Sequence, residues 1–193
     1  MVMEATAARE QVPIPMASPQ SAPLGDLEKV FREHHILVYR AAYRVTGNAE
    51  DAEDVLQTVF MRLLRREDDA ASVGSITAYL RCAAVNAALD LMRSRQRARS
   101  MPLEDVEPVL LDESAHSPDR LYRSAEMGVW LRNTVARLSP MAAQVFALRF
   151  FEEREVPEIA EILGTSLGTV SVTLSRARDR IQTEFKTYWR TQS

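Results

Sequence analysis

The segment from Val156 to Arg180, VPEIAEILGTSLGTVSVTLSRARDR, constrains the fold of this chain more than any other stretch of its sequence. Apolar residues recur every three or four positions in a short run and again in a longer run, and the turn sequence Leu-Gly-Thr-Ser separates the two runs. This spacing predicts a helix-turn-helix. Pro157 suits the first turn of the first helix, Gly164 a left-handed cap at its end, and Ser166 the N-cap of the second helix.

Each helix of this pair has an apolar face that is expected to point inward, formed by Ile159, Ala160 and Leu163 and then by Leu167, Val170, Leu174, Ala177 and Ile181. The remaining small polar and basic side chains of the second helix suit phosphates and base edges of DNA. This candidate reading face consists of Ser166, Thr169, Ser171, Thr173, Arg176 and Arg178. An αα-hairpin inside an ordinary helical bundle is the alternative, but the Gly-containing turn and the Gly-Thr-Val helix start favour DNA binding.

The rest of the chain has helical periodicity with short breaks, so an all-α fold is predicted. Residues 1–24 are rich in Ala and Pro and lack periodicity, and we expect a disordered tail there. A loop is expected at 67–74, and Phe31 and Leu64 are among the residues expected to face the core. Five helices are predicted before the helix-turn-helix: one from Asp26, one at 49–66, one capped by Ser75, one at 121–138 and one at 140–151.

An acidic segment divides these helices into two lobes. Between Met101 and Asp119 the chain has six acidic residues, three prolines and no Lys or Arg, which is typical of an extended linker. A basic run of opposite sign precedes it, formed by Arg93, Arg95, Arg97 and Arg99. The predicted organisation is a tail at 1–24, a first lobe at 25–99, a flexible acidic linker at 100–119, a second lobe at 120–187 and a C-terminal tail at 188–193.

Composition excludes several classes of protein. The net charge of −3 means that any DNA contact must come from local basic patches. A single cysteine, Cys82, excludes an internal disulfide and a Cys-based zinc site, and the three histidines do not have ligand spacing. No apolar run approaches the roughly 20 residues of a membrane span, so a cytoplasmic protein is expected. Without a phosphate-binding loop, metal-ligand spacing or nucleophile motif, we expect no enzymatic activity and no cofactor.

Both lobes resemble one known family, the small two-domain extracytoplasmic-function sigma factors, which direct bacterial RNA polymerase to promoters. In the first lobe, DAEDVLQTVF at 51–60 and NAALD at 86–90 resemble the family segments DAEDLVQETF and NLALD. In the second lobe, LRFFE at 148–152 and the helix-turn-helix follow the family pattern. The resemblance covers about 26–98 and 121–185, in the family's order and with its separation.

The resemblance implies that the helix at 51–60 docks on the coiled coil of the largest polymerase subunit. Its acidic side chains, on a face taken to be partly exposed, suit a basic partner, and Gln57 offers donors and acceptors. The implied polymerase-binding residues are Asp51, Glu53, Asp54, Gln57 and Phe60. From the residues alone, the acidic groups could instead favour the helix N-terminus through the macrodipole.

The resemblance also implies that the third helix reads and opens the minus-ten promoter element. Asn86 can bind a base edge, arginines can hold the separated strand, and the loop at 67–74 would hold a flipped base. The implied residues are Asn86, Asp90, Arg93, Arg95 and Arg97. Asp90 could equally pair with Arg93 three residues later.

The helix from Ser166 would then read the minus-thirty-five element, and here the chain departs from the family pattern. Ser171 and Thr173 stand where cations are common, and each missing cation removes about one phosphate contact. Other departures are Met141, Ala143 and Gln144 in the second lobe and Arg81, Cys82 and Val85 in the first. They leave the expected architecture intact and change the expected DNA preference.

The implied partners are core RNA polymerase, promoter DNA and an anti-sigma factor wedged between the lobes. One alternative is a transcription regulator that uses only the C-terminal helix-turn-helix, as LuxR-type regulators do. The first lobe argues against it, because its sequence has no receiver or ligand-binding pattern. The other alternative is a helical interaction protein without DNA binding, which the basic run disfavours.

Overall fold

The computed structural model describes residues 27–64, 75–100 and 118–192, and the side chains of all of these except 99–100, 118–124 and 191–192. This part of the chain is helical and has no strand, which confirms the predicted all-α class. Its seven helices are α1 (Leu27–Thr46), α2 (Ala49–Leu64), α3 (Ile76–Ser100), α4 (Pro118–Ala136), α5 (Pro140–Phe150), α6 (Val156–Leu163) and α7 (Leu167–Gln192).

Helices α1, α2 and α3 pack together as the first lobe. Gly47 makes the tight turn between α1 and α2 with a φ of +69°, a conformation in which glycine avoids the steric cost of a Cβ. Asn48 then caps α2, because its Oδ1 accepts the Asp51 N–H at 2.9 Å. The predicted cap at Ser75 is confirmed, since its Oγ accepts the Ala78 N–H at 3.4 Å.

Helices α6 and α7 form the predicted helix-turn-helix. Glu155 and Glu158 make a reciprocal capping box at the start of α6, where Pro157 lies in the first turn. Gly164 ends that helix with a φ of +59°, which confirms the left-handed cap. Ser166 Oγ then accepts the Thr169 N–H at 3.1 Å and caps α7 as predicted. Local capping chemistry therefore fixes where α6 begins and ends and where α7 begins.

The two lobes contact each other along α3, which packs against α4, α5 and α6 as well as against its own lobe. Buried side chains of both lobes belong to one continuous apolar cluster. This contact was not apparent from the sequence, which indicated two lobes with separate surfaces. The predicted linker falls outside the described residues from 101 to 117, as do the predicted tail at 1–24 and the loop at 67–74.

Several detailed expectations are wrong. Leu64 and Leu167, expected to face the core, are 41% and 53% exposed. Leu167 is the first residue of α7, so no preceding turn of that helix covers it. Phe31 is also exposed, at 43%, with its ring edge-on to Phe60. Helix α4 begins at Pro118, inside the predicted linker. The expected C-terminal tail is helical as far as Gln192, because Tyr188 packs on Trp130 of α4 with ring centroids 5.5 Å apart.

Candidate nucleic-acid interface

Helix α7 presents the candidate reading face to solvent. Val170, Leu174 and Ala177 are buried beneath it and fix its rotation about the helix axis. The predicted polar residues on the opposite side are exposed, with one exception: Thr173 is half-buried beside Leu174. The exposed members are Ser166, Thr169, Ser171, Arg176 and Arg178. The helix can therefore approach a DNA groove without any change in its packing.

Three of these residues already have partners within the chain. Ser166 Oγ lies 2.9 Å from Thr169 Oγ1, so both hydroxyls contribute to the cap of α7. The guanidinium of Arg178 lies over the ring of Phe150, 5.1 Å from its centroid, in a cation–π contact that orients the side chain. Ser171 and Arg176 are the remaining exposed polar residues of this face. The described structure records neither a capping role nor a cation–π contact for them.

Val172 also belongs to the outer face of α7, although it was not among the residues predicted for it. Its side chain is 51% exposed and projects from the side of α7 opposite Val170 and Leu174. Placing the buried residues on a helical wheel would have put Val172 at the centre of the outer face. An apolar side chain there can contact a thymine methyl group in the major groove.

Helix α3 brings together the residues predicted for the minus-ten element, but several have protein partners. Asn86 is half-buried and its Nδ2 lies 3.7 Å from Cys82 Sγ. Arg93 donates to Asp90 at 3.2 Å, as the alternative for Asp90 anticipated, and to the Ala136 carbonyl of α4 at 3.0 Å. Arg95 makes an ion pair with Asp51, and Arg97 is exposed.

The predicted polymerase-binding residues divide into two groups. Glu53, Asp54 and Gln57 lie exposed on α2. Asp51 and Phe60 are buried, at 4% and 8% exposure. The expected placement of Asp51 on a partly exposed acidic face is therefore wrong, whereas Phe60 belongs to the apolar side of α2. Asp51 points inward because it pairs with Arg95 of α3, and Phe60 packs into the core of the first lobe.

A polar contact that the sequence did not predict joins the lobes at Cys82. Gln144 of α5 donates to Cys82 Sγ at 3.1 Å, and both side chains are buried. Burial raises the pKa of the Cys82 thiol to about 11, although its hydrogen bonds from Gln144 and Asn86 act in the opposite direction. The thiol is therefore protonated and shielded at neutral pH.

Within the described ranges, no group of His, Cys, Asp and Glu side chains is arranged to hold a metal ion. Among the helices of the same ranges, none combines the length and the apolar character that crossing a membrane requires.

Comparison with known proteins gives consistent matches to both lobes. Residues 30–98 match Sigma-70 region 2, and residues 128–181 match Sigma-70, region 4. The chain is 30% identical to the ECF RNA polymerase sigma factor SigE of Mycolicibacterium smegmatis over 86% of its own length and 64% of that protein. It is 30% identical to the RNA polymerase sigma-E factor of Streptomyces avermitilis over 83% of its own length and 86% of that protein.

Among solved structures, CnrH in complex with the cytosolic domain of CnrY shares the fold. Its TM-score is 0.50 at 22% identity, over 83% of this chain and 88% of that chain. The family matches in both lobes, the similarity to relatives over most of the chain and the helix-turn-helix in its expected place agree with one another. The chain belongs to the extracytoplasmic-function family of RNA polymerase sigma factors, whose members bind core RNA polymerase and promoter DNA.

Proposed function

We propose that this chain is the promoter-specificity subunit of RNA polymerase for a particular set of genes and that it acts in the cytoplasm without catalytic activity of its own. The observation that carries this proposal is the exposed recognition helix α7. The capped C-terminus of α6 and the capped N-terminus of α7 hold it in place. The chain also has both sigma regions in order. A regulator that uses only the helix-turn-helix would have no need of the first lobe.

The second lobe would bind the minus-thirty-five element in the major groove. Arg176 supplies a charge for a phosphate or a guanine edge, and Ser171 offers a short polar contact. With few cations on this face, the second lobe alone would bind DNA weakly. Tethering to the first lobe and to polymerase would supply the missing affinity, because it makes the second contact intramolecular.

The first lobe would bind polymerase through the exposed face of α2. Glu53, Asp54 and Gln57 are the residues available for this contact, while Asp51 and Phe60 would support the helix from behind. Reversing the charge of Glu53 and Asp54 to Lys should weaken binding to core polymerase at least tenfold on the scale of close interfacial charge pairs, roughly 1.5 kcal/mol or more, with unchanged helix content. Undiminished affinity for core polymerase would contradict this assignment.

The same lobe would open the minus-ten element with α3. Asn86 is proposed to bind a base of the separated strand, and Arg93, Arg95 and Arg97 to lie near its backbone, with Asp90 orienting Arg93. An anti-sigma factor is also proposed as a partner that holds the protein inactive. Family membership supports both assignments.

The decisive experiment is run-off transcription with purified core polymerase on a library of randomised promoters. The full chain should select a common pair of sequence elements from the library, and core polymerase alone should select none. Arg176→Ala should weaken selection of the upstream element while leaving the binding of core polymerase intact. If the chain neither binds core polymerase nor enriches any promoter, while still binding DNA through α7, the alternative of a free-standing regulator replaces this proposal.

A further inference from the structure

Glu152 is a buried carboxylate at the contact between the lobes. It follows α5 in the second lobe, and only 2% of its side chain is exposed. One carboxylate oxygen contacts Arg81 of α3, and the other lies 3.4 Å from Arg44 of α1. Both arginines belong to the first lobe, so this carboxylate is bound entirely from across the interlobe contact.

A buried carboxylate is stable only while its partners remain in place. Removing one partner of such a pair leaves an uncompensated charge in a poorly hydrated site. Separating the lobes, by contrast, returns Glu152 and both arginines to water together. The ion pair therefore resists small distortions of the contact and is released as a unit when the lobes part.

Further contacts place the second lobe on the part of α3 predicted to read DNA. Arg93 donates to the carbonyl of Ala136 at 3.0 Å, at the C-terminus of α4, where the helix dipole favours a cation. One turn away, Gln96 donates to the carbonyl of Asn133 at 2.9 Å. Towards the other end of α3, Asn86 lies against Cys82, which Gln144 covers.

Arg132 of α4 adds a close approach to the first lobe. Its guanidinium lies so near Gly47 that a Cβ on that glycine would be only 2.6 Å from the Arg132 Cζ. The turn between α1 and α2 thus needs glycine both for its positive φ and for this contact. Burial in this position lowers the pKa of Arg132.

At the interlobe contact, one of the predicted DNA-binding residues has a hydrogen-bond donor without a partner. In the described structure the Nη2 atom of Arg93 is buried without a hydrogen-bond partner. Leaving a buried donor unpaired is unfavourable, so Arg93 would gain a better environment when the lobes separate and a phosphate or water becomes available. The closed contact is therefore stabilised at Glu152 and weakened at Arg93.

We propose that Glu152 is an interlobe latch which keeps the second lobe against the part of the promoter-facing side of α3 around Arg93 until the lobes separate. The identity of the covered side rests on the proposed function, whereas the latch itself rests only on the contacts above. In this arrangement α7 remains open to DNA while α4 holds Arg93, so the lobes must part before Arg93 can contact the separated strand.

The single cysteine makes the latch measurable without polymerase or DNA. Cys82 is 3% exposed and covered by Gln144, so its reaction with a thiol reagent such as DTNB requires the lobes to part. Glu152→Gln removes the charge but keeps the size of the side chain. It should raise the rate of Cys82 modification in the full chain by about tenfold or more, as expected for a broken buried pair.

Glu161→Gln is the matched control, because this substitution removes the same charge at an exposed position of the second lobe. It should leave the rate unchanged. Both tryptophans, Trp130 and Trp189, lie in the second lobe, so an unchanged fluorescence spectrum shows that Glu152→Gln has not unfolded that lobe. The Arg154 side chain binds the main-chain carbonyl of Glu152, a bond that the substitution retains.

A partner variant tests the latch from the first lobe. Arg81→Gln should also accelerate modification of Cys82, and the double variant Arg81→Gln with Glu152→Gln should react more slowly than the product of the two single effects predicts, because they break the same contact. Independent effects, or a Cys82 rate that neither variant changes, would overturn the latch.

The latch and the proposed function fail in different ways. If Glu152→Gln exposes Cys82 and also increases promoter melting by holoenzyme at limiting protein, both proposals are supported. If Cys82 is exposed but neither the parent chain nor the variant supports transcription, the latch holds and the proposed function fails. If transcription is normal and Cys82 stays protected in both variants, the function holds and the latch is wrong.

Discussion

The two candidate DNA surfaces differ in how far the protein itself uses them. On α7, Ser171, Val172 and Arg176 project into solvent from a helix whose opposite side is fully packed. On α3, the corresponding side chains are bound within the chain: Arg95 pairs with Asp51, and Arg93 reaches across to α4. The surface on α7 is free of such contacts at these residues, and the surface on α3 is partly occupied by contacts within the chain.

This difference shows that basic residues which look alike in the sequence can have different structural roles. The run from Arg93 to Arg97 contains one residue bound to the other lobe, one bound inside its own lobe and one exposed. Arg176 and Arg178 of α7 are both exposed. We therefore expect substitutions of Arg93 and Arg95 on α3 to change stability or domain contact as well as DNA binding, and substitutions of Ser171 and Arg176 on α7 to change DNA binding alone.

The largest effect is expected for Arg95→Ala. Removing this guanidinium leaves the Asp51 carboxylate buried without the ion pair, which should lower the free energy of unfolding by about 2 to 4 kcal/mol, somewhat below the full cost of a buried pair because Arg95 is half-exposed. Urea denaturation followed by circular dichroism measures the change.

Arg97→Ala and Arg176→Ala are the matched controls, since both residues are exposed. Each should change the unfolding free energy by less than about 0.5 kcal/mol. If Arg95→Ala is no more destabilising than these two variants, Arg95 is a surface cation like the others, and the contrast between the two helices disappears.

The sequence was sufficient for the fold class and for the second lobe, because local chemistry determines both. Pro157, Gly164 and Ser166 occupy positions where capping geometry depends on one or two residues, and each has the predicted role. The buried stripe through Val170 and Leu174 follows from helical periodicity in the same way.

The sequence was insufficient where a residue's environment depends on distant parts of the chain. Asp51 lies in an acidic helix start that resembles an exposed docking surface, and only the approach of Arg95, 44 residues later, makes it buried. The role of Glu152 depends likewise on Arg44 and Arg81. Periodicity indicates which face of a helix is apolar, but it does not identify the partner of a buried charge.

An intermediate effect is expected for Asn86→Ala. Asn86 makes only a weak contact with Cys82 inside the protein, so its removal should hardly change stability. If Asn86 binds a base of the opened strand, its loss should destabilise the open complex by about 1 to 3 kcal/mol. Permanganate reactivity of promoter thymines reports melting, and filter binding reports the closed complex. Melting should fall more than closed-complex binding; equal losses would assign Asn86 to promoter binding in general.

The smallest effect, and the sharpest test of the open surface, is expected for Ser171→Lys. Position 171 is exposed on α7 beside the buried Val170, and a lysine there can reach a phosphate without disturbing the packing. One added phosphate contact should steepen the dependence of log affinity on log salt concentration by about 0.9 and should strengthen binding to all sequences alike.

Arg176→Ala should change the slope by a similar amount in the opposite sense if that residue holds a phosphate. Fluorescence anisotropy of the full chain on duplex DNA at several salt concentrations measures both slopes. A Ser171→Lys variant that binds no better at any salt concentration would mean that residue 171 faces away from the DNA backbone, and the reading face of α7 would then have to be centred on Val172 and Arg176.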